Sequence, residues 1–202
     1  MPAVNPDFHG GAEQSPAALL IIDMINDLDF SGGPKLLRHA LPAAKAIRAL
    51  KRRAAEAGAA SIYVNDNFGQ WRSDFRQIVD HCGREGMCGA PLVRTLEPGE
   101  DDYFVVKPRH SGFFTTTLEL LLHSLGARTL ILTGIAGDIC VLFTANDAYM
   151  RGFRLIVPPD CVASESAEFN EQALALMERR LKAELPRSDE IDFHKLMKGE
   201  AG

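Results

Sequence analysis

No stretch of this chain approaches the roughly 18 consecutive apolar residues that a membrane-spanning helix requires. No block of Lys and Arg runs along it either: its 202 residues carry 22 Lys plus Arg against 27 Asp plus Glu, a formal charge of −5. Nucleic acids and anionic membranes are held by clustered cations, so neither is expected as a partner. Cysteine is sparse, four in all, too few for the disulfide scaffold of a small secreted protein. Internal repeats and low-complexity tracts are missing. The first sixteen residues are polar, contain three prolines and lack the basic-then-apolar order of a signal peptide. They read as an N-terminal tail (1–16) ahead of one domain (17–202) in a cytoplasmic protein.

What is present is a globular balance, 46% apolar and 24% charged. A chain this long buries roughly 70% of the surface its unfolded form exposes, so it needs neither disulfides nor a structural metal to fold. Apolar runs of strand length alternate with helical patterns. Ala17 to Ile22 is a continuous apolar run closed by Asp23, as expected of a strand buried on both faces. Ile47, Leu50 and Ala54 recur at helical spacing within Ala43–Ala57, and Gly58 stops them. Ser61–Asn65, Tyr103–Lys107, Thr129–Thr133 and Arg154–Val157 are the next strands. Helices are expected over Thr115–Leu125, Asp138–Met150 and Glu168–Leu181. Residues 69–99 read as a long loop holding one short helix near Phe75–Val79. Ala183–Met197 offers a short strand and a last helix from Ser188. This alternation implies a three-layer doubly wound sheet of five to six mostly parallel strands with helices on both faces.

Ligands of such sheets bind beyond the carboxyl ends of the strands. Asp23 ends the first strand, Asp66 follows the second and Lys107 ends the third; Gly134–Cys140 joins the fourth to its helix. A charge after a buried run must be paired. Cys140, in a first helical turn and near a lysine, is expected to have a lowered pKa and to reach thiolate at neutral pH. Asp23 is placed to accept its proton, which would give a base, a cation and a nucleophile for covalent attack on a carbonyl. Equally, Cys140 could be a small buried hydrophobe, with Asp23 capping a turn and Lys107 pairing with it. Spacing leaves both open.

The stretches ALLIIDMINDL (18–28), VVKPRHSGFFTTTLELLL (105–122) and LTGIAGDICVLFTANDAYMRGF (132–153) resemble the isochorismatase-like cysteine hydrolases, a likeness running from about Ala17 to Glu190. The resemblance implies Asp23, Lys107 and Cys140 as catalytic residues. Backbone N–H groups of Ala136 and Cys140 would form the oxyanion hole, and the Ile135–Ala136 peptide would be cis. It implies a C–N hydrolase acting on a small amide or ureido substrate through a thioester at Cys140, with no cofactor. Assembly as a homo-oligomer, a dimer or tetramer, is implied as well. Nicotinamidases of this superfamily carry an Asp-x-His metal motif after the second strand. Asp66-Asn67-Phe68 stands there, with no His in the next twelve residues, so no catalytic metal is expected. True isochorismatases work without the cysteine. A non-catalytic binder on the same fold is the alternative from another class; it would have no need of all three polar residues.

Substrate contacts are expected from Leu28, where the family usually has an aromatic, and from Phe68, Trp71, Arg72, Arg109, His110 and Phe113. The two arginines suit a substrate carboxylate. Asn26 and Asp27 are expected to fix the turn after the first strand, and Thr144 and Asp147 to anchor the helix after Cys140. Cys82 and Cys88 are expected as loop thiols and Cys161 as a buried residue.

Overall fold

The computed structural model describes residues 13–68 and 74–199. Among them, six parallel strands form one sheet: β1 (Ala17–Ile22), β2 (Ala60–Asp66), β3 (Tyr103–Lys107), β4 (Thr129–Ile135), β5 (Arg154–Ile156) and β6 (Val162–Ala163). The spatial order is β3-β2-β1-β4-β5, with β6 beside the end of β4. Every residue of β1 is inaccessible to solvent, which is why its sequence is apolar without alternation. The expected fold class is therefore found. Strand β6 gave no sequence signal, since two residues carry no pattern.

Helices cover both faces. On one, α1 (Gly33–Glu56), α2 (Phe75–Cys82), α3 (Ala90–Thr95) and α7 (Phe193–Met197) bury Leu36, Ile47, Phe75, Leu92 and Phe193 against Leu19, Ile21 and Tyr63. On the other, α4 (Leu118–Ser124), α5 (Leu142–Met150) and α6 (Ala167–Leu181) bury Leu118, Ala145 and Met177 against Leu20, Ile22 and Leu132. None of the described helices is long and apolar enough to cross a membrane.

Several boundaries differ from the sequence reading. Helix α1 starts ten residues before Ala43 and runs through Pro42. Leu36, Ala40, Ala43, Ala44 and Ile47 form one buried face across that proline, and its burial outweighs the missing backbone bond. Pro34 in the first turn is the start signal that the interior proline obscured. The 69–99 region holds two helices rather than one; α3 is six residues long and was hidden among glycines and prolines. Helix α4 begins at Leu118 instead of Thr115, because Thr115 has φ +51, outside helical space. Cys82 is not a loop thiol: it lies at the end of α2, fully buried. Cys88 is part-exposed and Cys161 is buried. The expected C-terminal strand is a single bridge between Ile156 and Glu184. A short 3-10 turn over Ser188–Glu190 precedes α7. Of the predicted tail, residues 1–12 lie outside the described residues, whereas Ser15 is buried and its Oγ accepts the Ala60 N–H at 2.9 Å.

The sheet order sets the position of any site. From β1 the chain moves outward to β2 and β3, then crosses back to β4 on the other side of β1. Connections leave β1 and β4 in opposite directions, so a crevice opens between their carboxyl ends.

Candidate active site

Three polar side chains converge at that crevice. Asp23, next after β1, has φ +52. Its backbone N–H continues the ladder to Val64 O at 3.0 Å, and its Oδ1 accepts the Asp66 N–H at 2.8 Å. Lys107 arrives from β3, two strands away, through the register pair Asp66–Lys107. Its side chain is wholly inaccessible, with Nζ 2.8 Å from Asp23 Oδ2 and 3.6 Å from Asp66 Oδ2. The same ammonium lies 3.7 Å from Cys140 Sγ, so it stands between the carboxylate and the thiol.

Cys140 is delivered by a turn in which several constraints meet. Gly134 has φ +115, and a Cβ there would sit 2.0 Å from Ile22 O; only glycine lets β4 approach β1 this closely. The Ile135–Ala136 peptide is cis, as the family resemblance implied. Residues Gly137–Val141 then form a π-turn, with the Val141 N–H reaching Ala136 O at 3.1 Å, before α5 begins at Leu142. The predicted helix start at Asp138 is thus a widened turn, which aims Cys140 toward Lys107. Behind it, the Asp138 N–H donates to Ser164 Oγ at 3.2 Å, Ser164 donates to Asn170 Oδ1, and Asn170 donates to Val162 O. In front, Thr144 Oγ1 donates to Cys140 O at 2.7 Å and accepts the Gly112 N–H at 3.0 Å, while Ser111 bonds Asp147. Thr144 and Asp147 are the expected anchors, and they tie the Ser111–Phe113 turn to the Cys140 helix.

Burial and charge decide where protons sit. Burial lifts Asp23 above the usual carboxylate range, and the Lys107 charge opposes that rise. For Lys107, burial acts most strongly and lowers the pKa, but Asp23, Cys140 and Asp66 together outweigh it and the net shift is upward. Burial and the Asp23 charge push the Cys140 thiol up to about 12, the reverse of the lowering expected from its position. The dipole-and-lysine argument left out desolvation, and it left out Asp23, which already neutralises Lys107 at 2.8 Å. Asp23 ionised, Lys107 charged and Cys140 protonated sum to zero charge. Removing the remaining proton would leave a net negative charge in a buried site, which is costly.

The other expected contacts divide. His110 is brought to the site, with Nδ1 4.0 Å from Cys140 Sγ and its ring 5.5 Å from that of Phe143. Phe68 is part-exposed, with φ +50, immediately beyond Asp66. Arg109 is exposed and makes no ion pair among the described residues. Leu28 is buried in the core and Phe113 is packed against Phe153, so neither reaches the crevice surface. Trp71 and Arg72 lie outside the described residues. Asn26 and Asp27 do fix the turn after β1, accepting the backbone N–H of Leu28 and Asp29. The sequence reading missed Asn65: fully buried, it accepts the Ile25 N–H at 3.2 Å and donates to Ile25 O at 2.7 Å. Also missed was a cleft of about 280 Å³ opening beside Phe68, lined by Asn67, Asp27, Gln77, His81 and Arg84. Three of these lie on or just after α2, which was expected as a short helix near Phe75–Val79 but given no part in the site.

An isochorismatase domain matches residues 17–186. The chain belongs to the isochorismatase family. An uncharacterized isochorismatase family protein of Bacillus subtilis, YaaI, is 44% identical over 174 residues, 86% of this chain and 95% of that one. The crystal structure of N-carbamoylsarcosine amidase from Thermoplasma acidophilum superposes with a TM-score of 0.67 at 28% identity, covering 87% of this chain and 98% of that chain. The ureidoacrylate amidohydrolase RutB of Klebsiella pneumoniae is 42% identical over 82 residues, 41% of this chain and 35% of that protein. Membership makes this chain an isochorismatase-family hydrolase.

Proposed function

We propose that this hydrolase cleaves a C–N bond of a small amide or ureido substrate by covalent catalysis at Cys140. The observation that carries the reading is the convergence of a carboxylate and a thiol on one buried ammonium, 2.8 Å from the first and 3.7 Å from the second. The raised pKa of Asp23 makes it a stronger base than an ordinary carboxylate. Asp23 takes the thiol proton as Cys140 Sγ forms a bond to the substrate carbonyl carbon. Lys107 then faces a carboxylic acid and a sulfur that passes its charge to the carbonyl oxygen. The N–H groups of Ala136 and Cys140, in the turn, are the donors assigned to that oxyanion. As the C–N bond breaks, Asp23 returns the proton to the leaving nitrogen. Water then adds to the thioester carbonyl, gives its proton to Asp23, and the thiolate departs to reclaim it.

The test is a panel of small amides and ureides, with and without a carboxylate, assayed for ammonia or amine release. The Cys140→Ala protein serves as the blank. A substrate turned over equally by both proteins would refute the assignment.

A further inference from the structure

Strand β6 is only two residues long, but its register places a polar residue with care. Val162 pairs with Gly134 and Ala163 with Ile135, so the next residue, Ser164, is carried alongside Ala136, which opens the turn that delivers Cys140. Ser164 is 1% exposed. A buried hydroxyl needs partners, and this one both accepts and donates. Its Oγ accepts the Asp138 N–H at 3.2 Å and donates to Asn170 Oδ1 at 3.1 Å, while Asn170 Nδ2 donates to Val162 O at 3.3 Å. These bonds link the turn to β6 and α6. Gly137 packs directly on them: a Cβ there would fall 2.1 Å from Asn170 Oδ1, 2.7 Å from Val162 Cγ1 and 3.2 Å from Ser164 Oγ. Ser164 and Asn170 line a groove of about 550 Å³ between α1 and α6, whose walls include His39, Glu171 and Arg187 but none of Asp23, Lys107 and Cys140. They therefore stand behind the turn, on the side away from the catalytic crevice.

We infer that Ser164 and Asn170 are positioning residues for catalysis, a latch that holds the Gly137–Val141 turn from behind and keeps its N–H groups aimed at the crevice. The inference rests on the covalent reading above, in which the Ala136 and Cys140 N–H groups receive the oxyanion. Asp138 stands midway between those two donors, two residues from each. The Ile139 and Val141 N–H groups both donate to Ala136 O at 3.1 Å, bonds that shape the turn without fastening it to another element. At its far end Thr144 holds Cys140 O and the Gly112 N–H. At its near end the bond from Asp138 to Ser164 does the fastening. A misplacement of about 1 Å, even from a change remote from the chemistry, can cost about a hundredfold in rate. Loss of one oxyanion donor costs about 10²–10³. The loss falls on kcat rather than on KM, because these N–H groups gain most when the oxygen carries charge in the transition state.

The test measures kcat and KM on a substrate that the Cys140→Ala protein leaves intact, together with hydrogen–deuterium exchange of the peptide spanning 136–141, which needs no substrate. Ser164→Ala is expected to lower kcat about ten- to a hundredfold with KM changed by less than about threefold. Exchange at 136–141 should accelerate at least about tenfold while exchange in β1 and β2 stays at the wild-type rate. Asn170→Ala alters a half-buried residue that bonds the turn only through Ser164, so the same changes should appear more weakly; it also serves if Ser164→Ala fails to fold. Ser164→Thr keeps the hydroxyl and should restore both readouts, which a general loss of stability would not explain. A kcat unchanged in both alanine variants, a loss carried wholly by KM, exchange at 136–141 no faster than in the wild type, or a threonine variant as impaired as the alanine would overturn the inference. Each of these is read while Cys140→Ala remains inactive. Turnover that survives in Cys140→Ala refutes the covalent reading instead, and the positioning role falls with it.

Discussion

Lys107→Met tests the electrostatic account of the site most directly. The substitution keeps an unbranched stem in a space with no solvent access and deletes the ammonium. Asp23, 4% exposed, then loses the partner 2.8 Å away. Breaking a buried pair by removing one member costs about 3–5 kcal/mol, and the pH dependence shows how much of that is charge. Burial already raises Asp23, and Lys107 is the largest influence opposing it, so the variant carboxyl rises further. The unfolded carboxyl ionises near about pH 4 and the folded one well above it. Between those two values unfolding releases a proton, so stability falls as pH rises, by up to about 1.4 kcal/mol per pH unit. The wild type slopes less, because Lys107 limits the rise. Urea denaturation followed by circular dichroism at about pH 5 and about pH 8 should show a deficit that is small in acid and near its full size in mild base. A deficit independent of pH, or one below about 1 kcal/mol at the higher pH, would refute the buried-pair argument.

Four further outcomes follow from the same geometry. Cys140→Ser should retain the wild-type unfolding midpoint while hydrolysis falls by at least about a thousandfold, read as ammonia release. Because burial and Asp23 hold the Cys140 thiol up to about 12, its alkylation by iodoacetamide, followed by peptide mass spectrometry, should keep accelerating through mildly alkaline pH; a plateau reached in acid would show a resting thiolate. Asn65→Ala strips both backbone partners from the buried Ile25 and should cost about 2–3 kcal/mol in urea denaturation. Gly134→Ala drives a Cβ to 2.0 Å from Ile22 O at φ +115, and soluble expression should collapse.

Much of the site was legible because strand ends in a parallel sheet are marked by where apolar runs stop. Asp23 and Lys107 each close a run buried on both faces, and such a charge has few places to go except a shared crevice. The turn before Cys140 was legible as a glycine-containing link between β4 and a helix. The signals that failed were those in which tertiary burial overruled local chemistry. Pro42 argued against a helix, yet a buried face running from Leu36 to Ile47 across it holds α1 together. Residues 83–95 look irregular by glycine and proline content, yet Leu92 and Val93 pack into the core from helix α3. Leu28 and Phe113 sit at positions that suit a pocket, but their side chains point into the core.

By itself the sequence determined the alternation of strand and helix, the parallel sheet, and the strand-end positions of Asp23 and Lys107, while Cys140 was singled out by the family resemblance. Each rests on periodicity or on a charge abutting an apolar run, and both are local properties. Only the tertiary structure decided the protonation of those residues. Desolvation depends on everything packed around a group, and it reversed the expected direction for Cys140 by enclosing the thiol beside an ionised Asp23 that already occupies Lys107. The widened turn at Gly137–Val141, the Ser164–Asn170 latch behind it and the Asn65 clasp on Ile25 likewise arise from segments far apart in the chain meeting in space.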